Sequence, residues 1–206
     1  MAKVGRKPSA KREAILDAAQ AAFLEDGYAA TSMDGVALGA CVSKATIYAH
    51  FASKDQLFAA VIQRRCERES VFQAPEGLPD ARTALTQVAR RLLGLLLSPE
   101  ALAMYRVVVS ESMRQPDLAR AFYESGPAAG KAQIAEIMAE LARRGALTLS
   151  DPWQATDMFI GMLRTDLFMR KLLGLPLRED QSPEQVIDTA VDIMMRAYGP
   201  VRPPVA

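Results

Sequence analysis

Between residues 31 and 54 the chain gathers side chains suited to holding an anion rather than to breaking a bond. They are the hydroxyls of Thr31, Ser32, Ser43 and Thr46, the phenol of Tyr48, the imidazole of His50 and the ammoniums of Lys44 and Lys54. Two pairs repeat one pattern, Ser43-Lys44 and Ser53-Lys54, with a helix-capping serine followed at once by a lysine. A helix N-terminus carries roughly +0.5 of an elementary charge, so a cation in its first turn lies against the local field. Either both lysines are solvated at a cost of a few tenths of a kcal/mol, or an anion compensates them. Phosphate is the anion that N–H groups at a helix start and a neighbouring lysine would hold together, with the hydroxyls, Tyr48 and His50 fixing register. Catalysis has little support. His50 is the one histidine, and there is no Ser/His/Asp set, metal-ligand spacing or glycine-rich phosphate loop. No catalytic residue, metal or cofactor is expected.

Short helices position these groups. Ile15, Ala18, Ala19, Ala22 and Phe23 recur at helical spacing after Pro8-Ser9, and Gly27 is a natural stop. Thr31-Ser32 caps a second helix from Met33 to Gly39, and Ser43 caps a third reaching Ala49. Ser53 with Gln56 has the form of a capping box and opens a fourth, expected to run to about Val71 over about 27 Å. The turn between the second and third, Ala40-Cys41-Val42, has the length used in helix-turn-helix motifs. On a helical wheel Ile47 and Phe51 face the first two helices. Ala45 and Ala49 form an opposite crest flanked by Lys44, Thr46 and Tyr48. Two small side chains with polar reach on either side suit insertion into a major groove, where methyls meet thymine and lysine reaches guanine or phosphate.

The totals agree with a helical domain protein. Half the residues are hydrophobic and only 6% are aromatic, with no apolar run long enough for a membrane span and no secretory signal, so the chain is expected in the cytoplasm. Cys41 and Cys66 do not make a disulfide framework. Lys3, Arg6, Lys7, Lys11 and Arg12 give the first twelve residues a charge of +5, so the rest of a chain of net charge +1 sums to −4. Such an arm is either a solvated tail or a contact for an anionic partner. After the breaker-rich QAPEGLPD at 73–80, five or six longer helices are expected. One runs from Asp80 to Leu97, one follows Ser98-Pro99-Glu100, and one precedes a break at ESGPAAG. Others cover 131–144, Asp151 to Gly174 and Ser182 to Gly199. ALTL at 146–149 is the only brief strand candidate, so the fold class is all-α.

The stretch ILDAAQAAFLEDGYAATSMDGVALGACVSKATIYAHFASKDQLF resembles the DNA-binding domain of TetR-family transcriptional regulators, with Phe23, Gly27, Thr31, Val42-Ser43, Ile47-Tyr48, His50-Phe51, Lys54 and Leu57 in order. The resemblance implies an N-terminal three-helix helix-turn-helix domain over residues 1–55 and a C-terminal helical ligand-binding and dimerisation domain over 56–206. It implies a homodimeric repressor on a palindromic double-stranded DNA operator, released by a small-molecule effector, with Lys44, Ala45, Thr46, Tyr48, His50 and Lys54 at or near DNA. In this chain Cys41 occupies the turn position that the family usually gives to glycine. Three readings are open for it: a left-handed residue costing about 1 kcal/mol, a redox handle, or a small buried thiol.

MYRVVVSESMRQPDLARAFYESGP and GALTLSDPWQATDMFIGML are similar to the AefR-like C-terminal domain found in part of the family. Met104, Tyr105, Val108, Phe122, Trp153, Phe159 and Met162 are candidate contacts for an apolar effector, or else ordinary core. Val186, Ala190, Ile193 and Met194 share a face of the last helix, and Ile187, Val191, Met195 and Tyr198 an adjacent one. A stripe that wide predicts burial on two sides, either in a thick monomer core or in a four-helix dimer interface with the helix from Trp153 to Leu173. Two other function classes remain at this stage: a DNA-binding protein without an effector, and a helical small-molecule carrier.

Overall fold

The computed structural model describes residues 10–68 and 80–200, and every regular element among them is helical. The basic arm before residue 10, the end expected near Val71 and most of the 73–80 linker lie outside the described residues. The chain divides into two compact units. One joins Met1–Arg65 with Ala103–Ser125, and the other joins Cys66–Leu102 with Gly126–Ala206.

In the first unit α1 (Ala10–Glu25) stops two residues before Gly27, whose φ of +78° suits a residue without a Cβ. A single turn, α2 (Gly27–Ala30), follows where the sequence predicts only a stop. Next come α3 (Met33–Gly39), α4 (Lys44–His50) and α5 (Lys54–Arg68). Serine caps set each start: Ser32 Oγ accepts from Gly35 N at 3.0 Å, Ser43 Oγ from Thr46 N at 3.1 Å and Ser53 Oγ from Gln56 N at 3.2 Å. The Gln56 amide reaches back to Ala52 N at 3.1 Å, one residue before the serine. α1 packs on α2 and α3, and α3 on α4. Phe23, Tyr28 and Phe58, all buried, bring α1, α2 and α5 together with ring centroids 5.2–5.6 Å apart. A second clamp is ionic. Arg64, its side chain 8% exposed, donates to Asp17 Oδ1 at 2.8 Å, Glu13 Oε2 at 3.3 Å and Gln20 Oε1 at 3.3 Å on α1. These contacts tie α5 to α1 and α2 as far as Arg64, next to the unit boundary at Arg65.

The same unit takes in the greater part of α7 (Pro99–Glu111) and all of α8 (Pro116–Tyr123). The expected break at ESGPAAG is instead a π-helical turn, Glu124–Ala128, that carries the chain into α9 (Ala129–Arg143). Pro127 has no N–H to donate, and a wider turn accommodates it without ending the helix.

The second unit packs α6 (Ala81–Leu97) on α12 (Pro183–Tyr198), α9 on α10 (Pro152–Leu163), and α10 on α12. Its core runs through Leu85, Val88, Leu92, Ile134, Met138, Leu141, Phe159, Leu163, Ile187, Val191 and Met194. Asp80, Asp151 and Ser182 cap their helices, the last with a full capping box to Gln185. The helix expected to run unbroken from Asp151 to Gly174 is interrupted. Arg164 (φ −92°, ψ 58°) and Thr165 (ψ −171°) leave helical geometry, and α11 (Asp166–Leu173) starts afresh and packs on α6. ALTL forms no strand, although Thr148 N donates to Tyr198 O at 2.7 Å.

Candidate nucleic-acid interface

α4 has seven residues, too few to be stable alone, so its position comes from its neighbours. Ile47 is its one fully buried side chain, and Phe51, which follows it, is buried as well. Everything else faces outward: Lys44, Ala45, Tyr48, Ala49 and His50 are exposed, and Thr46 is half-buried. The expected crest of small residues with polar flanks is therefore present, and Tyr48 is 45% exposed.

The turn before α4 is a Schellman motif. Cys41 N donates to Leu38 O at 3.0 Å and Val42 N to Ala37 O at 2.9 Å. Cys41 sits at its left-handed position with φ 52° and is exposed, so the reading of a small buried thiol is wrong. An L side chain in that conformation is strained by about 1 kcal/mol. Cys41→Gly is expected to raise stability by up to about 0.5 kcal/mol after the extra chain entropy of glycine is subtracted, read as a shift in thermal unfolding under reducing conditions. A lowered midpoint would show that the turn carries no such strain.

The two lysines have different surroundings. Lys44 Nζ lies 2.8 Å from Asp34 Oδ2, across the turn on α3, with side chains 66% and 60% exposed. The hydrogen bond from the ammonium to Asp34 raises the Lys44 pKa above its ordinary value. Lys54 is turned inward. Its ammonium donates to Tyr28 O at 2.7 Å and Thr31 O at 2.9 Å, and stands 4.4 Å from the Tyr28 ring centroid. Burial lowers its pKa, against the opposing charges of Asp55 and Glu111. The Lys54 charge thus serves carbonyls of the α2 turn, Tyr28 and Ala29, and that of Thr31 just after it. Beside it Tyr28 donates to Asp55, and burial followed by that hydrogen bond pushes the phenol pKa well up. Thr31 is buried, and its hydroxyl donates to Gly27 O at 2.7 Å. Ser32 and Ser43 are exposed, each with its oxygen already accepting from its own helix. Lys44, Ala45, Tyr48 and His50 are therefore open to solvent, while Thr31 is buried and the partly buried Lys54 is bonded to the carbonyls of Tyr28 and Thr31. The sequence reading missed Asp34 and Arg64. A signal for Asp34 existed: an acid in the first turn of one helix, ten residues before a lysine in the first turn of the next.

The candidate effector contacts divide between the units. In the first, Met104 and Val108 are buried, and Tyr105 meets Phe122 edge-to-face with centroids 6.0 Å apart. In the second, Phe159 is fully buried, Met162 packs partly buried against the core, and Trp153 is 51% exposed with the Lys131 ammonium 5.5 Å from its ring centroid.

A helix-turn-helix with a protruding, capped second helix, joined to a larger helical body, defines a DNA-binding transcriptional regulator. Residues 15–61 match the model of bacterial regulatory proteins of the tetR family, and residues 83–200 match the AefR-like transcriptional repressor C-terminal domain. The chain belongs to the TetR family, whose members are transcription regulators and not enzymes. Among solved structures it is similar to the flavonoid-responsive regulator FrrA, with a TM-score of 0.77 and 36% identity over 93% of this chain and 98% of that one. It is also similar to a TetR-family regulator from Mesorhizobium loti, with a TM-score of 0.77 and 30% identity over 95% of this chain and 100% of that one. The HTH-type transcriptional activator FasR of Mycolicibacterium smegmatis is 40% identical over 77 residues, which are 36% of this chain and 35% of FasR. The chain thus spans about a third of the length of that relative. No single helix among the described residues is long and apolar enough to cross a membrane.

Proposed function

We propose that this protein is a ligand-responsive repressor that binds a palindromic operator as a homodimer in the cytoplasm and is released by a small apolar effector. The observation that carries the reading is α4, which buries Ile47 and offers Lys44, Ala45, Tyr48, Ala49 and His50 to solvent. Lys44 and Tyr48 meet the duplex, Ala45 and Ala49 let the helix axis approach base edges, and His50, Ser32, Ser43 and Thr46 line the flank. Residues 1–55 carry this work, and residues 56–206 carry effector binding and dimerisation.

Dimerisation is supported by apolar side chains that the monomer leaves out. Met158 on α10, Met169 and Leu173 on α11 and Ile193 on α12 are each about half exposed or more. Helices α10 and α12 from two copies make a four-helix interface, and its two-fold axis places two α4 helices on half-sites about one DNA turn apart. An aromatic or otherwise apolar effector is supported by the name of FrrA and by the Tyr105–Phe122 pair beside Met104 and Val108. Because α5 belongs to both units, it carries the change in spacing of the α4 helices. The effector weakens operator binding by its differential affinity for the badly spaced form and by no more.

Selection from random duplexes followed by a screen of apolar aromatic compounds tests the reading. The expected result is recovery of an inverted repeat, with at least one compound lowering occupancy on it and relieving repression in a reporter. Salt-sensitive binding without a preferred repeat would favour a DNA-binding protein with no effector. Failure to bind any duplex at low salt would favour a carrier.

A further inference from the structure

A lysine at the start of a recognition helix ordinarily adds affinity for any phosphate within reach, whatever the sequence. Here that lysine is already partnered. Asp34 lies in the first turn of α3, where the helix field favours an acid, and its Oδ2 holds Lys44 Nζ at 2.8 Å across the Ala40–Val42 turn. Ser32 caps α3 and Ser43 caps α4, so both helix starts are fixed, and the carboxylate and ammonium project from two anchored turns. Both side chains are open to solvent.

The pair is electrically neutral from a distance, yet the ammonium keeps hydrogen-bonding capacity. It has three N–H donors and Asp34 takes one. We propose that Asp34 is a specificity-determining residue: it cancels the pull of Lys44 on phosphate in general and leaves Lys44 as an aimed donor for a base edge in the major groove. The proposal rests on the reading that α4 enters that groove. On random DNA, neutralisation lowers affinity. On the operator, a pair of acceptors such as guanine O6 and N7 takes the two remaining donors while Asp34 holds the third. Discrimination rises because the unwanted complex is weakened more than the wanted one.

The experiment uses the full chain as wild type, D34N, K44M and D34N/K44M. Each is titrated by fluorescence anisotropy against a random-sequence duplex and against the tightest duplex recovered by selection, over a range of salt. Both substitutions fall on exposed side chains, and unfolding curves confirm that each of the three variants is folded. D34N is expected to tighten the random duplex by about three-fold and to steepen its log K against log salt slope by up to about 0.9, the value of one added phosphate contact. Affinity for the selected duplex is expected to rise less or to fall, so the ratio between the two drops. In the K44M background the D34N effect is expected to disappear. Tightening by D34N that persists undiminished with K44M would mean that Asp34 acts through its own repulsion of DNA, and would overturn the proposal. Unchanged or weaker binding of random DNA by D34N would overturn it too. Wild-type protein that binds neither duplex overturns this proposal together with the reading of α4, whereas the first two results remove this proposal alone.

Discussion

Phe58→Ala is expected to remove about 3–5 kcal/mol from the stability of the unit that holds α4. Phe58 is fully buried on α5, with the rings of Phe23 and Tyr28 at 5.2 and 5.5 Å. Truncation removes a large apolar side chain and leaves a cavity between three helices that the remaining rings are too rigid to close. It also removes two edge-to-face pairs, each contributing about 0.5–1.5 kcal/mol beyond its buried area. Domains of this kind are stable by only about 5–15 kcal/mol, so the loss is a large fraction of the total. α4 depends on that support, and duplex binding should be lost along with the packing. Phe58→Leu, which restores most of the volume, should recover much of both. Chemical denaturation followed by circular dichroism reads the result. A Phe58→Ala protein within about 1 kcal/mol of wild type would show that the aromatic trio is not what holds α1, α2 and α5 together.

Features written in contiguous sequence were legible. The serine caps before α3, α4 and α5 are local hydrogen bonds between residues three apart, so Ser32, Ser43 and Ser53 could be read without knowing the fold. The faces of α4 followed from its wheel, because Ile47 and Phe51 are its only apolar side chains large enough to anchor it. The left-handed conformation at Cys41 was one of three readings, suggested by the glycine that the resembling family places there, whereas the exposure of its thiol depended on what surrounds the turn. Interactions across long separations were not legible. Arg64 meets Glu13, Asp17 and Gln20 on α1 from more than forty residues away, and nothing in the RRCER stretch distinguishes it from a solvated arginine. The inward hydrogen bonds of Lys54 were not legible either, because the α2 turn whose carbonyls it meets was not foreseen. The break after Leu163 was missed for a related reason. Arg164 and Thr165 carry no glycine or proline, and α11 is separated by its packing on α6 rather than by a local breaker. Pro127 misled in the opposite sense, since a π turn can absorb a proline that would end an α-helix.

The double variant K44A/Y48A is expected to lose about 100-fold in affinity for the selected duplex at moderate ionic strength, counting one α4 from each subunit. Lys44 supplies the charged donor at the start of α4, and Tyr48 stands one turn further along the same exposed flank, so together they make up most of the helix's reach. Neither side chain supports the core, and the folded state should be intact, as circular dichroism and an unchanged unfolding midpoint would verify. Ile47→Ala is the complementary control, because it leaves every outward group in place and removes the anchor beneath them. The most direct measurement is an anisotropy titration of wild type and K44A/Y48A, side by side, on the duplex that wild type selects. Weakening by about two orders of magnitude in a folded protein is the predicted result. Affinities that agree within about two-fold would contradict the account, because the surface of α4 would then not be what touches DNA.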